Sequence, residues 1–463
     1  MWRRVGIVGG GGVGIAIVVA EKKRPPEEKE LPRAWCAEEV ARVWKERPLR
    51  CGARGMEVAR RLVPVYVRAQ FGERKEAARS LRGALTALGP AFVKLGQALS
   101  IRPDLLPQEY LDELRMLCDA VPHVPTADAI RIIREELGSV PFGFLDADTP
   151  PVAAASLGQV YRCEYEGKTV AVKVQRPNII SAVSLDLTLL WWWAHVVEFA
   201  KKYGTRQRPY DVKLVEAFAR GAWGELDYEM EAAHQTRMAR GLERARSRAL
   251  RTRIIVPAVR VATRKVLATD WVEGEKLSDA PPSAVRALVP LGVELFAWQL
   301  LEFGYYHCDP HVGNLFASSS SSLALIDFGL CCQVAAPNAR AMTRAVLTLA
   351  RGDVPGLLDA AIDLDFLPPD VDRDALLPVL QRVFDAAKLA ESSKERRETF
   401  RRVSRELNDI FFNYPFRVPE YFALITRALI ILEGIALLGD ADFDIFQAAY
   451  PHALRIFMAS SSS

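Results

Sequence analysis

The sequence predicts an α+β fold with a small antiparallel sheet lobe and a large helical lobe. Strand-like patterns are confined to the middle of the 463-residue chain, and helical patterns lie on both sides of them. The length suits two or three folding units, and 50% apolar with 25% charged residues is an ordinary globular composition. This composition excludes a disordered, collagen-like or disulfide-stapled protein.

Helical periodicity accounts for most of the chain outside the middle. Apolar residues recur at three- and four-residue spacing in several stretches, which Gly and Pro separate. The predicted helical stretches are 35–47, 55–70, 77–99, 178–203 and 211–250, followed by a long helical C-terminal half.

The spacing changes from helical to alternating in the middle of the chain. Residues 151–177 predict a strand, a Glu-Gly turn and a second, Val-rich strand, and 254–274 predict further short strands. A serine run at 318–322 predicts a solvated hairpin tip. We therefore divide the chain into four parts: a targeting or anchor segment (1–30), a helical extension (31–150), a sheet lobe (151–275) and a helical lobe (276–463).

The N-terminus contains a glycine pattern that resembles a dinucleotide-binding turn. Gly9, Gly11 and Gly14 fit G-x-G-x-x-G, but the charged, proline-broken stretch EKKRPPEEKE follows where a second buried strand is needed. A bound nicotinamide or flavin is therefore disfavoured. Val5–Ala20 is uncharged but shorter than the roughly 20 residues that span a bilayer. Its basic start favours an organellar leader that is either cleaved or weakly anchoring.

Charge and cysteine content limit which partners and which metal or redox motifs are expected. A net charge of +4 gives no reason to expect nucleic acid, and the arginine-rich stretch 237–264 is either a solvated helix face or a membrane-facing stripe. Seven cysteines contain no C-x-x-C pair, which predicts free thiols rather than a zinc ribbon or a redox motif.

Two apolar stretches need a separate interpretation. Tyr421–Leu438 contains Arg427 and Glu433, so a buried core helix is predicted rather than a membrane span. The tryptophan run Trp191–Trp193 could face a lipid or a quinone headgroup, but core and partner packing is the favoured interpretation.

Three short motifs follow one another in the order of a protein-kinase phosphate site. VAVK ends at Lys173 on the Val-rich strand, HCDPHVGN contains Asp309 and Asn314, and LIDFG contains Asp327. Lys173 would neutralise the α- and β-phosphates, and Asn314 and Asp327 would hold Mg²⁺. Asp309 would accept a proton from an attacking hydroxyl or orient a water. The pattern predicts a site for ATP or ADP with Mg²⁺.

The segment before the first strand departs from a kinase glycine-rich loop. Ala153, Ala154, Ala155 and Ser156 stand where glycines would let backbone N–H groups approach the phosphates, so an altered nucleotide geometry is expected. A metal site on His307 and His311 is the alternative for HCDPH, but the intervening proline argues against a regular helix there. In the kinase interpretation both histidines brace the loop.

These motifs together resemble the UbiB/ADCK-type atypical kinases, also called aarF-domain proteins. The resemblance covers about residues 50–455 and includes a KxGQ signature with Lys94 and Gln97, the alanine-rich loop, and GELDYEMEAAH with Glu225, Asp227 and Glu231. The tail NYPFRVPEYFALITRALIILEGIAL resembles cyanobacterial and plastid members in particular.

The resemblance implies roles for individual residues. It implies that Glu231 pairs with Lys173, and that Lys94 and Gln97 fold over the nucleotide cleft with Lys94 near Glu225. It also places Asp227 among the nucleotide-binding residues.

The resemblance further implies an ATP- and Mg²⁺-dependent kinase or ATPase that supports prenylquinone metabolism. Members are linked to ubiquinone, plastoquinone or tocopherol, so a prenylquinone or lipid ligand and membrane association are expected. The implied location is the chloroplast, at thylakoids or plastoglobules, with the mitochondrion as the alternative. A nucleotide-gated scaffold with little turnover is the second hypothesis for function.

The sequence departs from the family pattern at several positions. Cys308 and Val312 replace the usual Ala and Pro in HCDPHVGN, and His234 stands where Asn is common. Thr269 and Asp270 differ from the usual hinge. The polar residues of the predicted site are present, so an inactive pseudokinase is not expected.

Overall fold

The structure is a computed structural model that describes residues 24–100, 106–117, 123–204, 211–308, 313–319, 321–388, 419–440, 443 and 445–460. The chain divides into two compact units. The first comprises 1–230 and 260–269, and the second comprises 231–259 and 270–463. The predicted leader at Val5–Ala20 and the glycines at 9–14 lie outside the described residues.

Helices form the larger part of the first unit. After a 3₁₀ turn at Glu28–Glu30 they are α1 (Ala37–Lys45), α2 (Pro48–Phe71), α3 (Arg74–Leu88), α4 (Pro90–Leu99), α5 (Gln108–Leu114), α6 (Thr126–Leu137), α7 (Ile179–Gly204), α8 (Asp211–Gly224) and the start of α9 (Tyr228–Glu243).

The predicted helical stretch 77–99 is divided in two. Gly89 has φ +98°, which side-chain-bearing residues rarely adopt, and Pro90 occupies the first position of α4, where its missing N–H costs nothing. This Gly-Pro pair ends α3 and starts α4, so the KxGQ signature occupies a short helix of its own.

A five-stranded sheet completes the first unit. Its strands are β1 (Ala153–Ala154), β2 (Gly158–Tyr165), β3 (Lys168–Gln175), β5 (Val259–Ala262) and β6 (Val266–Asp270), in the order β1-β2-β3-β6-β5. Glu166 (φ +51°) and Gly167 (φ +74°) form the tight turn of the antiparallel β2–β3 hairpin, which confirms the predicted Glu-Gly turn. One face of this sheet packs on α6 through apolar side chains, which include Tyr161, Val172 and Ile133.

A second core cluster of the first unit lies around α1, α7 and α8. The Trp44 Nε1 atom donates to Ser184 Oγ at 3.0 Å, and Arg54 donates two hydrogen bonds to the buried Asp186 carboxylate at 2.8 and 3.0 Å. The tryptophan run of α7 is divided between environments, because Trp192 packs on this core and Trp193 is 65% exposed.

The second unit continues α9 and is mostly helical. Its other helices are α10 (Arg248–Arg253), α11 (Pro282–Trp298), a π-helical turn (Gln299–Phe303), α12 (Ala336–Arg351), α13 (Val354–Asp363), α14 (Arg373–Lys388), α15 (Glu420–Gly439) and α16 (Ile445–Ser460). α15 buries Ile425, Ala428 and Leu432 in the core of this unit. The predicted core helix at 421–438 is therefore confirmed.

Two small sheets lie in the second unit. Their strands are β4 (Ile254–Ile255), β7 (Glu275–Lys276), β8 (Tyr305–His307), β9 (Leu315–Ser319), β10 (Ser322–Leu325) and β11 (Cys331–Gln333). The first has the order β4-β10-β9-β7, with β4 parallel to β10, and the second is the antiparallel pair β11-β8. The serine run at 318–322 lies at the β9–β10 connection, as the composition predicts.

Two helices among the described residues are long and apolar enough to cross a bilayer. They cover Ile179–Lys201 and Pro282–Phe303, whose apolar windows are 50% and 67% buried. A buried core helix satisfies the same length and hydropathy criteria, so this finding alone is weak evidence for a membrane span.

Candidate nucleotide site

Lys173 lies on β3 and points away from the sheet core. Its neighbours Val172 and Val174 are fully buried, and alternation along the strand puts the lysine side chain on the opposite face. The Lys173 Nζ atom lies 5.1 Å from the centroid of the Tyr228 ring, a cation–π contact. The Tyr228 backbone N–H donates to the Arg264 carbonyl at 3.1 Å, which holds the start of α9 beside the sheet.

The alanine-rich loop is a closed hairpin between β1 and β2. Ala153 and Ala154 pair with Val160 and Gln159, and the Ala155 N–H donates to the Gly158 carbonyl at 2.8 Å. The Arg176 Nε atom donates to the Ala155 carbonyl at 3.0 Å. Ser156, the last residue of the predicted set, is buried.

Glycine is required at the end of this hairpin. A Cβ atom at Gly158 would lie 2.7 Å from the Val174 carbonyl oxygen and 2.4 Å from the Tyr228 hydroxyl. The single glycine of the loop therefore allows close packing of β2 on β3, rather than the flexible cover that a glycine-rich loop gives to phosphates.

The KxGQ signature lies on α4. Lys94 Nζ is 2.7 Å from Glu225 Oε2, which confirms the predicted proximity of these side chains. Gln97 donates from Nε2 to the Leu117 carbonyl at 3.2 Å. A Cβ atom at Gly96 would lie 2.3 Å from Leu117 Cδ1, so the glycine between them is required by packing. The nucleotide-binding roles of Lys94, Gln97 and Glu225 remain predictions.

Asp227, the last residue of the predicted Glu225–Asp227 pair, is bound by an arginine from the N-terminal segment. The Arg33 Nε atom donates to Asp227 Oδ2 at 2.9 Å, and Arg33 also contacts Glu229. The hydrogen bond to Asp227 is the largest cause that raises the pKa of Arg33. The Arg33 carbonyl accepts from Trp223 Nε1 at 3.0 Å, so the segment is held by backbone as well as side chain.

The predicted metal ligands Asn314 and Asp327 lie on adjacent segments of the second unit. The Ile326 N–H donates to the Asn314 carbonyl at 3.0 Å, which brings the residue before Asp327 next to Asn314. Asp327 has φ +60°, a left-handed conformation that is uncommon for a residue with a side chain. Its Oδ1 accepts from the Gly329 N–H at 3.2 Å, and Asn314 is buried while Asp327 is exposed.

Two histidines hold the backbone around Asp327 and Phe328. The Nε2 atom of the buried His307 lies 2.5 Å from the Asp327 carbonyl, and its backbone N–H donates to Gln299 Oε1 at 2.8 Å. The His234 Nδ1 atom lies 3.0 Å from the Phe328 carbonyl. Because a carbonyl only accepts hydrogen bonds, each of these ring nitrogens carries a proton. Burial lowers the pKa of His234, so its imidazole is held neutral.

The donor set of Asn314 and Asp327 fits Mg²⁺. Both supply oxygen, which Mg²⁺ prefers, and this ion commonly takes one or two protein ligands with substrate phosphates and water. Among the described residues no group of three or more His, Cys, Asp or Glu side chains could hold a metal.

The predicted roles of Asp309 and Glu231 are not tested by the described residues. Asp309 lies outside the described residues, together with His311 of the alternative metal site. Glu231 is buried in the second unit and Lys173 belongs to the first. The pairing of Glu231 with Lys173 remains a prediction.

Sequence reasoning missed four residues that support the site. Arg33 and Gln299 act over long sequence separations, and no local pattern marks them. Tyr228 follows Asp227 directly, and a buried aromatic beside a predicted lysine strand could have been proposed. His234 departs from the family pattern, but the sequence alone does not predict its contact with the Phe328 carbonyl.

Comparison with known proteins settles the family. Residues 116–361 match the family described as the ABC1 atypical kinase-like domain. The protein ACTIVITY OF BC1 COMPLEX KINASE 3, chloroplastic, of Arabidopsis thaliana is 39% identical over 388 residues, covering 82% of this chain and 53% of that protein. Protein slr1919 of Synechocystis sp. is 34% identical over 464 residues, covering 95% of this chain and 79% of that protein.

The chain belongs to the ABC1 atypical kinase-like family. This confirms the family that the motifs indicated. The chain spans about half the length of the Arabidopsis relative.

A solved structure shows the same fold. The complex of Rv3197 with erythromycin from Mycobacterium tuberculosis has a TM-score of 0.52 and 19% identity, covering 82% of this chain and 95% of that chain. At this identity the likeness concerns the fold alone. The predicted kinase-like α+β fold is thereby confirmed.

Proposed function

We propose that this ABC1 family chain is an ATP- and Mg²⁺-dependent atypical kinase or ATPase. The observation that carries the proposal is the arrangement of Asn314 and Asp327. Two oxygen donors on adjacent segments are held by the bond from Ile326 to Asn314 and by His307 on the Asp327 carbonyl. Such a pair suits a nucleotide-bound Mg²⁺, because this ion commonly takes one or two protein ligands together with phosphate oxygens and water.

The proposed roles follow the chemistry of each side chain. Lys173 neutralises the α- and β-phosphates, and Asp309 orients the attacking hydroxyl or water and accepts its proton. Mg²⁺, when bound, offsets the charge of the phosphate oxygens. Asn314 and Asp327 orient that ion, and His307 keeps the Asp327 backbone in its left-handed conformation.

The alanine-rich hairpin supports an ATPase or a small-molecule kinase rather than a conventional protein kinase. The Ala155 N–H is already bonded to Gly158, so this donor is not directed at phosphate. Neutralisation of the phosphates then depends more on Lys173 and on Mg²⁺ than in a kinase with a glycine-rich cover.

A role in prenylquinone metabolism within a plastid is the finer part of the proposal. It is supported by the chloroplastic designation of Arabidopsis relatives and by the resemblance of the motifs to quinone-linked kinases. Exposed apolar side chains on α7, at Trp193, Val196 and Phe199, support association with a membrane or a lipid ligand. Mass spectrometry of lipids that copurify with the full chain would test this part.

The experiment for the nucleotide site is thermal unfolding of the full chain with Mg²⁺ and ATP, ADP or no nucleotide. A ligand at 100 times its Kd adds about 2.7 kcal/mol to the free energy of unfolding. We expect this stabilisation for the unchanged protein and its loss in Asp327→Asn.

Asp365→Asn is the matched control. Asp365 also has a left-handed φ, of +63°, and is exposed in the second unit, so both substitutions place Asn in the same backbone conformation. Asp365→Asn should keep the full nucleotide effect. Equal nucleotide effects in the two variants would contradict the assignment of Asp327.

The second candidate is a nucleotide-gated scaffold with little turnover, which the exposed apolar face of α7 also favours. It predicts nucleotide-dependent binding to anionic lipid vesicles that survives loss of hydrolysis. The enzyme hypothesis predicts release of phosphate or its transfer to an acceptor, both lost in Asp327→Asn.

A further inference from the structure

Three cysteines lie on the small sheet formed by β8 and β11. Cys331 pairs with His307 and Cys332 pairs with Tyr306 across this antiparallel sheet, and the Cys308 N–H donates to the Leu330 carbonyl at 3.0 Å. This sheet joins the segment that leads into Asp309 to the segment that follows Asp327 and Phe328.

The register places two of the cysteines on one face. Successive side chains of a strand point to opposite faces, so Tyr306, Cys308 and Cys332 share one face and His307 and Cys331 share the other. Cys308 and Cys332 are diagonal neighbours across the strands, and the Cys308 thiol donates to the Tyr306 carbonyl at 3.7 Å. Both are free thiols in this structure.

The two thiols differ in burial and in acidity. Cys308 is fully buried and burial raises its pKa well above the ordinary value, whereas the neighbouring Cys308 thiol lowers the pKa of Cys332, which is partly exposed. The first attacking sulfur must be ionised and accessible to the oxidant, whereas the resolving sulfur must lie beside the mixed disulfide and ionise when it attacks. Cys332 meets the first requirement and Cys308 the second.

We propose that Cys308 and Cys332 form a reversible disulfide that links the loop preceding Asp309 to the segment following Asp327. The oxidant is a low-molecular-weight disulfide such as oxidised glutathione. The Cys332 thiolate attacks one of its sulfur atoms and releases one glutathione thiolate, leaving a mixed disulfide on Cys332. Cys308 then gives its proton to the glutathione thiolate released first, and the resulting Cys308 thiolate attacks the Cys332 sulfur and releases the second glutathione as a thiolate. Two protein thiols are oxidised and one glutathione disulfide is reduced to two thiols.

The geometry favours a reducible bond over a permanent structural one. The two sulfur atoms must approach to about 2.05 Å, and diagonal positions require the strands to adjust. β8 and β11 are only three residues long and pair in a two-stranded sheet, which allows such a shift. A bond formed under this strain is more easily reduced than a relaxed disulfide.

The test is oxidation of the folded full chain with oxidised glutathione, alkylation of the remaining thiols, and mass spectrometry of the peptides. Trypsin leaves all three cysteines in one peptide, because no Lys or Arg lies between Arg286 and Arg340. Cleavage before aspartate, at Asp309 and Asp327, separates Cys308 from the other two. We expect a cross-linked pair of peptides that contains Cys308 and Cys332 and separates again with dithiothreitol.

Three variants make the result specific. Cys331→Ser is the matched control, because it removes the neighbouring thiol on the opposite face, and it should leave the yield of cross-link unchanged. Cys332→Ser should abolish both the mixed disulfide and the cross-link. Cys308→Ala, the residue usual in the family, should abolish the cross-link and leave glutathione on Cys332.

Other outcomes would overturn the proposal. These are a cross-link that persists in Cys332→Ser, a Cys331–Cys332 bond in the unchanged protein, or an unchanged protein that stops at the mixed disulfide. Unfolding midpoints of the reduced variants show whether each one is folded before oxidation. The mass readout does not depend on turnover, so failure here leaves the proposed nucleotide site unaffected.

Discussion

Gly96 in α4 offers a direct test of why the KxGQ signature contains a glycine. An added Cβ atom would lie 2.3 Å from Leu117 Cδ1, 2.9 Å from Leu85 Cδ1 and 3.4 Å from Leu114 Cδ2. These leucines form a buried cluster with Leu88 and Phe92, so their methyl groups have little room to move. Overpacking of this kind typically costs about 1–3 kcal/mol.

The control is Gly83→Ala in α3, where no heavy atom lies within 4 Å of an added Cβ. Both substitutions gain about 1 kcal/mol from the better helix propensity of alanine, so this gain cancels between them. The free energies of unfolding of the two variants should therefore differ by the overpacking cost alone, about 1–3 kcal/mol. Gly83→Ala should be slightly more stable than the unchanged protein.

The assay is hydrogen exchange of the α4 amides, because a chain of two units need not unfold in one transition. A factor of ten in protection corresponds to about 1.4 kcal/mol, so α4 in Gly96→Ala should exchange about 5- to 150-fold faster than in Gly83→Ala. Adding Leu117→Ala removes the methyl that the new Cβ meets. The double variant should then be more stable than the sum of the two single effects predicts. Equal protection of α4 in the two alanine variants would refute the packing argument.

Three further predictions concern other parts of the site. The folded chain holds the His234 imidazole neutral, so the contribution of His234 to stability is complete above about pH 6.5 and is lost as pH falls through its lower folded-state pKa. His234→Asn should therefore reduce the drop in unfolding midpoint on acidification, and an unchanged drop would contradict this role of His234. Arg33→Met should speed proteolysis of the segment before α1, because it removes the arginine that pairs with the buried Asp227 carboxylate, whereas Lys29→Met, which alters an exposed pair, should not. Gly158→Ala should lower the free energy of unfolding in denaturant by about 1–3 kcal/mol, because the new Cβ atom meets the Val174 backbone, which cannot move aside like a side chain. An unchanged free energy of unfolding would show that β2 can shift.

Local signals predicted those parts of the fold that local chemistry determines. The alternation of Val residues predicts β3, and Glu166 with Gly167 predicts the hairpin turn, because both depend on a few neighbouring residues. The Gly89–Pro90 pair could have predicted the division of 77–99, but continuous apolar spacing masked it. The parallel pairing of β4 with β10 joins residues about 70 positions apart, and no periodicity in either strand specifies such a partner.

The candidate site shows the same difference between what local sequence signals predict and what long-range packing decides. The motifs supplied Lys173, Asn314 and Asp327 because a phosphate site needs these residue types in this order. They could not supply the groups that position those side chains. Arg33 reaches Asp227 across 194 residues, and the use of His234 on the Phe328 carbonyl depends on the packing of α9.

The three polar and small positions of the KxGQ signature have separate physical reasons. Lys94 forms an ion pair with Glu225, Gln97 bonds the Leu117 carbonyl, and Gly96 allows Leu117 to pack against the helix. Two of these contacts converge on the chain just after α5, and the third reaches the chain just after α8. Protein contacts therefore hold α4 at both places. A substitution at Gly96 should then lower the protection of the α4 amides more than one at Lys94, because it overpacks the buried leucine cluster, whereas the Lys94–Glu225 ion pair is partly exposed.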